Sequence, residues 1–201
     1  MTKVPVRTYL FSTSLNKLAG TTCGEAYLVD SSADLNRFGA LKSAIMRNLA
    51  PALICAEVAR IFDVRETEVA LLQVKRSFLE FVFPLELKAG GVIPLSSSAV
   101  AAKTATEKKA EVFNSFTTVR HASIFEVVKL GSTQADPSDQ VIQKLISAPV
   151  LAADKAVGVI QVSRKGRNPA VAGPDFTPAD LRTLELAAKV IAPFFASIPS
   201  N

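Results

Sequence analysis

Ile146-Ser-Ala-Pro-Val-Leu-Ala-Ala-Asp-Lys-Ala-Val-Gly-Val-Ile-Gln-Val-Ser-Arg-Lys165 is the stretch on which the fold turns. Two runs rich in apolar and β-branched residues flank a short polar turn at Asp154-Lys155, which is the signature of a β-hairpin. A long loop follows, and Phe176-Thr-Pro-Ala-Asp-Leu181 then opens an apolar helix. Thr177 suits the N-cap, Pro178 the first helical position, and Asp180 the positive helix end three residues on. Leu181, Leu184, Ala188, Ile191 and Phe195 recur at three-four spacing and form one stripe. Leu186, Val190 and Phe194 give the helix a second apolar side, so both sides should be covered. Pro199 is expected to end it.

Toward the N-terminus the elements are shorter. Thr133 to Asp139 reads as a polar loop with turn chemistry at Asp136-Pro137, and Ser123 to Leu130 fits either helix or strand. Ala110 to Phe116 fits a strand. Ser96-Ser97-Ser98 offers capping hydroxyls for a short helix over 98–109, and Gly90-Gly91 marks the loop before Val92 to Leu95. Strands are predicted at Glu68 to Val74 and Phe78 to Phe83 around a polar Lys75-Arg76-Ser77 turn, with Pro84 ending the pair. Leu35, Phe38, Leu41, Ile45 and Leu49 follow a helical period, and Ser31 with Asp34 resembles a capping box. Pro51 lacks an N–H and crowds the preceding turn, so the helix should kink or break there. Its second half, Ala52 to Phe62, carries Leu53, Ile54, Val58, Ile61 and Phe62. Residues 1–30 are an arm of uncertain structure, and 31–201 read as a single domain. The order of elements defines an α+β class, an antiparallel sheet covered by helices.

Composition narrows the function. The chain has 201 residues, 49% hydrophobic and 20% charged, which suits one packed domain with extensions. Its apolar runs fall far short of the ~20 residues that span a bilayer, and Met1-Thr-Lys-Val-Pro-Val lacks the pattern of a secretory signal. A cytoplasmic protein with no membrane partner is expected. Cys23 and Cys55 are widely separated and His121 is the single histidine, a set that argues against a disulfide framework, a metal site and triad chemistry. The net charge is +5. Lys75-Arg76, Lys103 with Lys108-Lys109, and Arg164-Lys165-Gly-Arg167 are scattered among acids such as Glu107 and Glu111, a solvated surface rather than a nucleic-acid face. Glu80, Glu86, Glu107, Glu111 and Glu126 form no catalytic spacing, so no enzyme is expected.

Ala148-Pro-Val-Leu, Gly158-Val-Ile-Gln-Val and Phe176-Thr-Pro-Ala-Asp180-Leu181, with Leu184 closing the pattern, run in the order found in GAF domains. The resemblance covers Leu35 to Ser197. It implies a GAF-like central antiparallel β-sheet, flanked by N- and C-terminal helices on one face and short helices or loops on the other. Members that bind cyclic nucleotides resemble one another in an Asn-Lys and a later Phe-x-x-x-Asp-Glu signature. This chain keeps Lys165, Phe176 and Asp180 but has Arg164 and Leu181 in place of the Asn and Glu. The resemblance also implies a Lys165–Asp180 ion pair. Cys23, Cys55 and His121 do not match the residues of bilin-binding, methionine-sulfoxide-reducing or haem-binding members.

The resemblance places a ligand between the sheet and the middle helices, over roughly Ser96 to Phe125, closed by the strand around Gln161. Ser98, Thr104, Asn114, His121 and Gln161 are the candidate polar groups, and Phe113, Phe116 and Phe125 the candidate walls. Each has a plainer reading: serine caps, a turn at Asn114, a surface or capping His121, phenylalanines as core, and Gln161 turned to solvent by strand alternation. The implied function is a non-catalytic sensory or regulatory domain in signal transduction, binding an unidentified small molecule; no cofactor is identified. The alternative is a ligand-free GAF-like dimerisation or protein-interaction module acting through a separate signalling protein. A homodimer through the terminal helices is expected, with Tyr9, Leu10 and Phe11 available to join it.

Overall fold

The computed structural model describes residues 37–46, 50–88, 91–118 and 141–198. Along the chain these form α1 (Gly39–Met46), α2 (Pro51–Phe62), β1 (Val69–Lys75), β2 (Phe78–Phe83), α3 (Leu85–Lys88), β3 (Val92–Pro94), α4 (Val100–Glu107), β4 (Glu111–Phe113), β5 (Ile142–Ala152), β6 (Lys155–Lys165) and α5 (Pro178–Ser197). The strands make one six-stranded sheet in the order β3-β2-β1-β6-β5-β4, antiparallel at every pairing.

The decisive hairpin forms, one residue earlier in its turn than the sequence suggests. Ala153 and Asp154 both take left-handed backbone angles, φ 46° and 61°, and Lys155 already pairs with Ala152. Two left-handed residues in a row match the twist of a tight hairpin, which is why the turn centres there. Alternation then divides the ribbon between two compartments. Ile146, Ala148, Val150, Ile160 and Val162 join Val69 and Leu71 against Leu41 of α1, Ile54, Cys55 and Val58 of α2, and Leu184, Ile191 and Phe195 of α5. On the opposite face Val159, Ala70, Leu72, Leu79 and Phe81 meet Ala101, Ala102 and Ala105 of α4. Helices α1, α2 and α5 thus cover one face and α4 the other.

Local chemistry sets the ends of the helices. Ala50 is extended (φ −55°, ψ 147°) and Pro51 opens α2, so the proline breaks the chain of helical bonds rather than kinking it. The first turn of α5 is built as expected: Thr177 Oγ1 accepts from the Asp180 amide at 3.2 Å, and Asp180 Oδ2 accepts from the Thr177 amide at 2.8 Å and its hydroxyl at 2.7 Å. Because that carboxylate is engaged by Thr177, the implied Lys165–Asp180 pair is replaced. The Lys165 ammonium donates to the Thr67 carbonyl at 2.8 Å. Leu53 is 48% exposed, not core, since burial on α2 runs through Ile54, Cys55, Val58, Ala59, Ile61 and Phe62. The helix expected over 98–109 is shorter, with Ala99 at its N-cap and no side-chain cap. The Ser31–Asp34 box, the 123–130 segment, the 133–139 loop and Pro199 lie outside the described residues. No helix among the described residues is long and apolar enough to cross a membrane.

Candidate functional site

Ser147 lies between Ile146 and Ala148, both of which face α1, α2 and α5, so alternation turns it toward α4. Hairpin register sets Gln161 directly opposite it. Thr104 of α4 completes a buried trio. Its hydroxyl lies 2.8 Å from Ser147 Oγ and donates back to the Val100 carbonyl at 2.9 Å. With that proton committed to Val100, the Ser147 hydroxyl is the donor between the two. Gln161 Nε2 donates to Ser147 Oγ at 3.1 Å. Gln161 is only 2% exposed, yet its Oε1 has no hydrogen-bond partner. A buried carbonyl left in that state costs about 1–3 kcal/mol. The trio carries two hydroxyls and a carboxamide and no charge, so it orients an uncharged polar group and offers no titrating acid or base.

Of the predicted ligand-binding residues, the structure therefore unites Thr104 and Gln161. Sequence reasoning missed Ser147, although the apolar residues on either side of it carry the signal. Gln161 does not turn to solvent. Asn114 serves elsewhere: its Nδ2 donates to the Phe176 carbonyl and its Oδ1 accepts from the Phe176 amide, both at 2.9 Å, clipping the lead into α5. Phe113 meets Phe116 edge to face at 6.3 Å and packs on Val100, Ile142 and Leu145, a small core cluster beside the trio. Ser98 is exposed. His121 and Phe125 lie outside the described residues.

A second polar centre sits at the rim, where α2 ends and β6 runs out. A cleft of about 490 Å³ is lined by Asp63, Val64, Arg65, Glu68, Arg164, Lys165, Gly166, Val171 and Ala172. Glu68 is its hub, with a side chain 8% exposed. Oε2 accepts from the Arg65 amide at 2.8 Å and Nε at 3.1 Å, while Oε1 accepts from Arg65 Nη2 at 3.0 Å and the Lys165 amide at 2.6 Å. Burial alone would raise this carboxyl, but the bonds from Arg65 and the Lys165 amide outweigh it and hold it below the ordinary glutamate range. Lys165 is pushed down, first by burial and then by Arg65, against the opposing pull of Glu68. The spacing Arg65-x-x-Glu68 was the available sequence signal, hidden because Glu68 reads equally well as the start of a strand.

The wall of this cleft that joins β6 to α5 is held from beneath. Gln143 Nε2 donates to the Gly166 carbonyl at 2.8 Å, and the nearly buried Lys144 ammonium reaches the Gly173 carbonyl at 2.5 Å and Asp175 at 2.8 Å. An apolar groove of about 350 Å³ lies apart from both centres, between α1 and α5, lined by Lys42, Ile45, Met46, Val190, Pro193, Phe194 and Ser197. Cys55 is buried in the main core, where burial first and the Glu66 charge second push its thiol far above its ordinary value. Among the described residues no group of three or more His, Cys, Asp and Glu side chains is placed to hold a metal.

The same architecture occurs in solved structures of distant sequence. The GAF domain of an Acinetobacter phosphoenolpyruvate-protein phosphotransferase aligns with a TM-score of 0.59 at 12% identity, covering 82% of this chain and 93% of that one. A segment of a methyl-accepting chemotaxis protein aligns at 0.56 and 20% identity, covering 78% and 94%. The free methionine-R-sulfoxide reductase from Neisseria meningitidis, in complex with its substrate, aligns at 0.52 and 14% identity, covering 87% and 96%. The chain has a GAF-like fold. No family model matches it, and no curated protein does.

Proposed function

We propose that this chain is a non-catalytic sensory or regulatory domain that binds a small, uncharged polar molecule on the α4 face of its sheet. The observation that carries this reading is Gln161 Oε1, a buried acceptor without a donor beside the Thr104 and Ser147 hydroxyls. A ligand N–H or O–H placed there would recover the cost of the orphaned carbonyl. The reductase relative shows that a GAF-like fold also supports catalysis. In this chain the described cysteine is buried with its thiol protonated, and the trio lacks a group of tuned pKa. Both features favour binding over chemistry.

A thermal-shift screen of the full chain against neutral metabolites, such as nucleosides, bases and amides, tests the reading. A ligand at one hundred times its Kd stabilises by about 2.7 kcal/mol, or roughly 5–10 °C for a chain of this size. That shift should disappear in Gln161→Leu. If no compound moves the transition, or if every shift survives in Gln161→Leu, the binding role on this face is lost.

The second reading is a ligand-free dimerisation module. The α1–α5 groove favours it: Met46 is 87% exposed beside Ile45, Val190 and Phe194, and another copy of the same helices would cover it. Sedimentation equilibrium decides this. Met46→Lys should shift a dimer toward monomer, and a wild-type monomer at all concentrations would end the reading.

A further inference from the structure

The rim cleft holds charge that its own residues do not neutralise. Three cations line it, Arg65, Arg164 and Lys165, against two carboxylates, Asp63 and Glu68. Glu68 is taken up by Arg65. The remaining two cations form none of the ion pairs found among the described residues. Their acceptors are neutral: Arg164 Nη2 donates to the Phe62 carbonyl at 3.2 Å and Nη1 to the Asp63 carbonyl at 3.5 Å, and Lys165 Nζ donates to Thr67. The Phe62 and Asp63 carbonyls end α2, the Thr67 carbonyl lies in the turn before β1, and all three satisfy hydrogen bonds, but a neutral acceptor does not discharge a cation. Arg164 Nε is buried without a partner. Stacking over Phe176, 4.9 Å from the ring centroid, fixes the plane of the guanidinium and spares it part of the ordering entropy that binding costs.

We propose that this cleft is a binding site for a small oxyanion, a phosphate or carboxylate group carried by a soluble metabolite, with Arg164 and Lys165 as its counter-charges. Each Arg164 Nη keeps a second N–H beyond the carbonyl it already holds, and such a donor suits an oxygen of either group. A cleft of about 490 Å³ exceeds a lone phosphate and lies within the range of metabolite sites. The site is separate from the Thr104–Ser147–Gln161 trio and shares no residue with it.

The test is calorimetric titration and thermal melting of the full chain with inorganic phosphate and, separately, with succinate, each against sodium chloride at equal ionic strength. A rise in the transition beyond the chloride control is expected with at least one of them, and which one responds tells phosphate from carboxylate. Arg164→Gln should weaken the binding by about tenfold or more. Because Arg164 also bonds the end of α2, Asp63→Asn supplies a variant that keeps the fold. Asp63 sits on the exposed rim at φ 50°, a conformation that asparagine tolerates. Removing its charge should tighten anion binding about threefold. The response should persist in Gln161→Leu, which keeps this site distinct from the sheet interior. The inference is overturned if neither anion exceeds chloride, if Asp63→Asn leaves the affinity unchanged, or if Gln161→Leu abolishes the response.

Discussion

Gly158 is the position where a single added carbon tests the packing of the whole fold. A Cβ built there would stand 2.6 Å from Phe195 Cε1, 2.8 Å from Cδ1, and 2.7 Å from the Leu72 carbonyl oxygen. The glycine is needed for space and not for its backbone angles: the Phe195 ring of α5 meets β6 at that point, with its Cδ1 and Cε1 atoms nearest. Overfilling a packed site costs about 1–3 kcal/mol. One of the two obstacles is a main-chain carbonyl in the central strand, so Gly158→Ala belongs at the upper end. Restricting the unfolded chain returns about 0.4–1 kcal/mol. A net loss of about 2 kcal/mol lowers Tm by about 4–8 °C in a domain of this length. Differential scanning calorimetry measures it, and a double-mutant cycle apportions it. Phe195→Leu removes the ring edge, so its cost should be about 1 kcal/mol smaller in the Gly158→Ala background than in the wild type. A Tm for Gly158→Ala within about 1 °C of the wild type, or strictly additive losses, would refute the close approach of α5 to β6.

Further outcomes follow from the bonds described above. Glu68→Gln should destabilise the chain by about 1–3 kcal/mol at neutral pH, read by urea denaturation, because it leaves the half-exposed Arg65 guanidinium and the Arg65 and Lys165 amides without the buried anion they bond. Since the folded carboxyl titrates below its ordinary value of 4.5, the stability it contributes is complete above that pH and is lost as pH falls through the lower folded value. The wild-type and Glu68→Gln stabilities should therefore converge in acid, and a constant gap from pH 7 to pH 3 would contradict the assignment. Asn114→Ala breaks both bonds to Phe176 and should cost about 1–2 kcal/mol, with proteolysis near 166–176 faster than in the wild type. In a Cys23→Ser background, Cys55 should resist a thiol reagent until the chain unfolds, so prompt labelling of native protein would show that its burial is wrong.

The parts of the fold that were legible in the sequence are those where one local signal dominates. Strand alternation around Asp154 and the Thr177-Pro178-Asp180 start are self-contained, because hairpin twist and helix capping are decided within a few residues. Leu53 shows the limit of periodicity: it is apolar and near the right phase, but the partner surface met Ile54 and Cys55, and the break at Pro51 reset the phase of α2. Site residues were legible only in half. Thr104 and Gln161 are polar residues among apolar neighbours, a local pattern. Their convergence on Ser147 depends on the register of two strands and the placement of α4, which no short window encodes. Asn114 has the same local look and instead pins the chain 62 positions away. The rim cleft was harder still, since Arg164-Lys165 resembles an ordinary solvated pair until Glu68 is brought to it.

The middle of the sheet is a partnership between distant parts of the chain. Val69 of β1 faces Val162 of β6, so about ninety residues must be synthesised after β1 before its inner neighbour exists. Until then β1 has β2 and, beyond it, only the three-residue β3, so its other edge is open and neither β6 nor α5 is there to complete the sheet and its core. Closing so long a loop is entropically slow, which predicts that the domain folds late and in a single cooperative event once β6 and α5 have emerged. Chains arrested before β6 should therefore be protease-sensitive throughout and prone to edge-to-edge association.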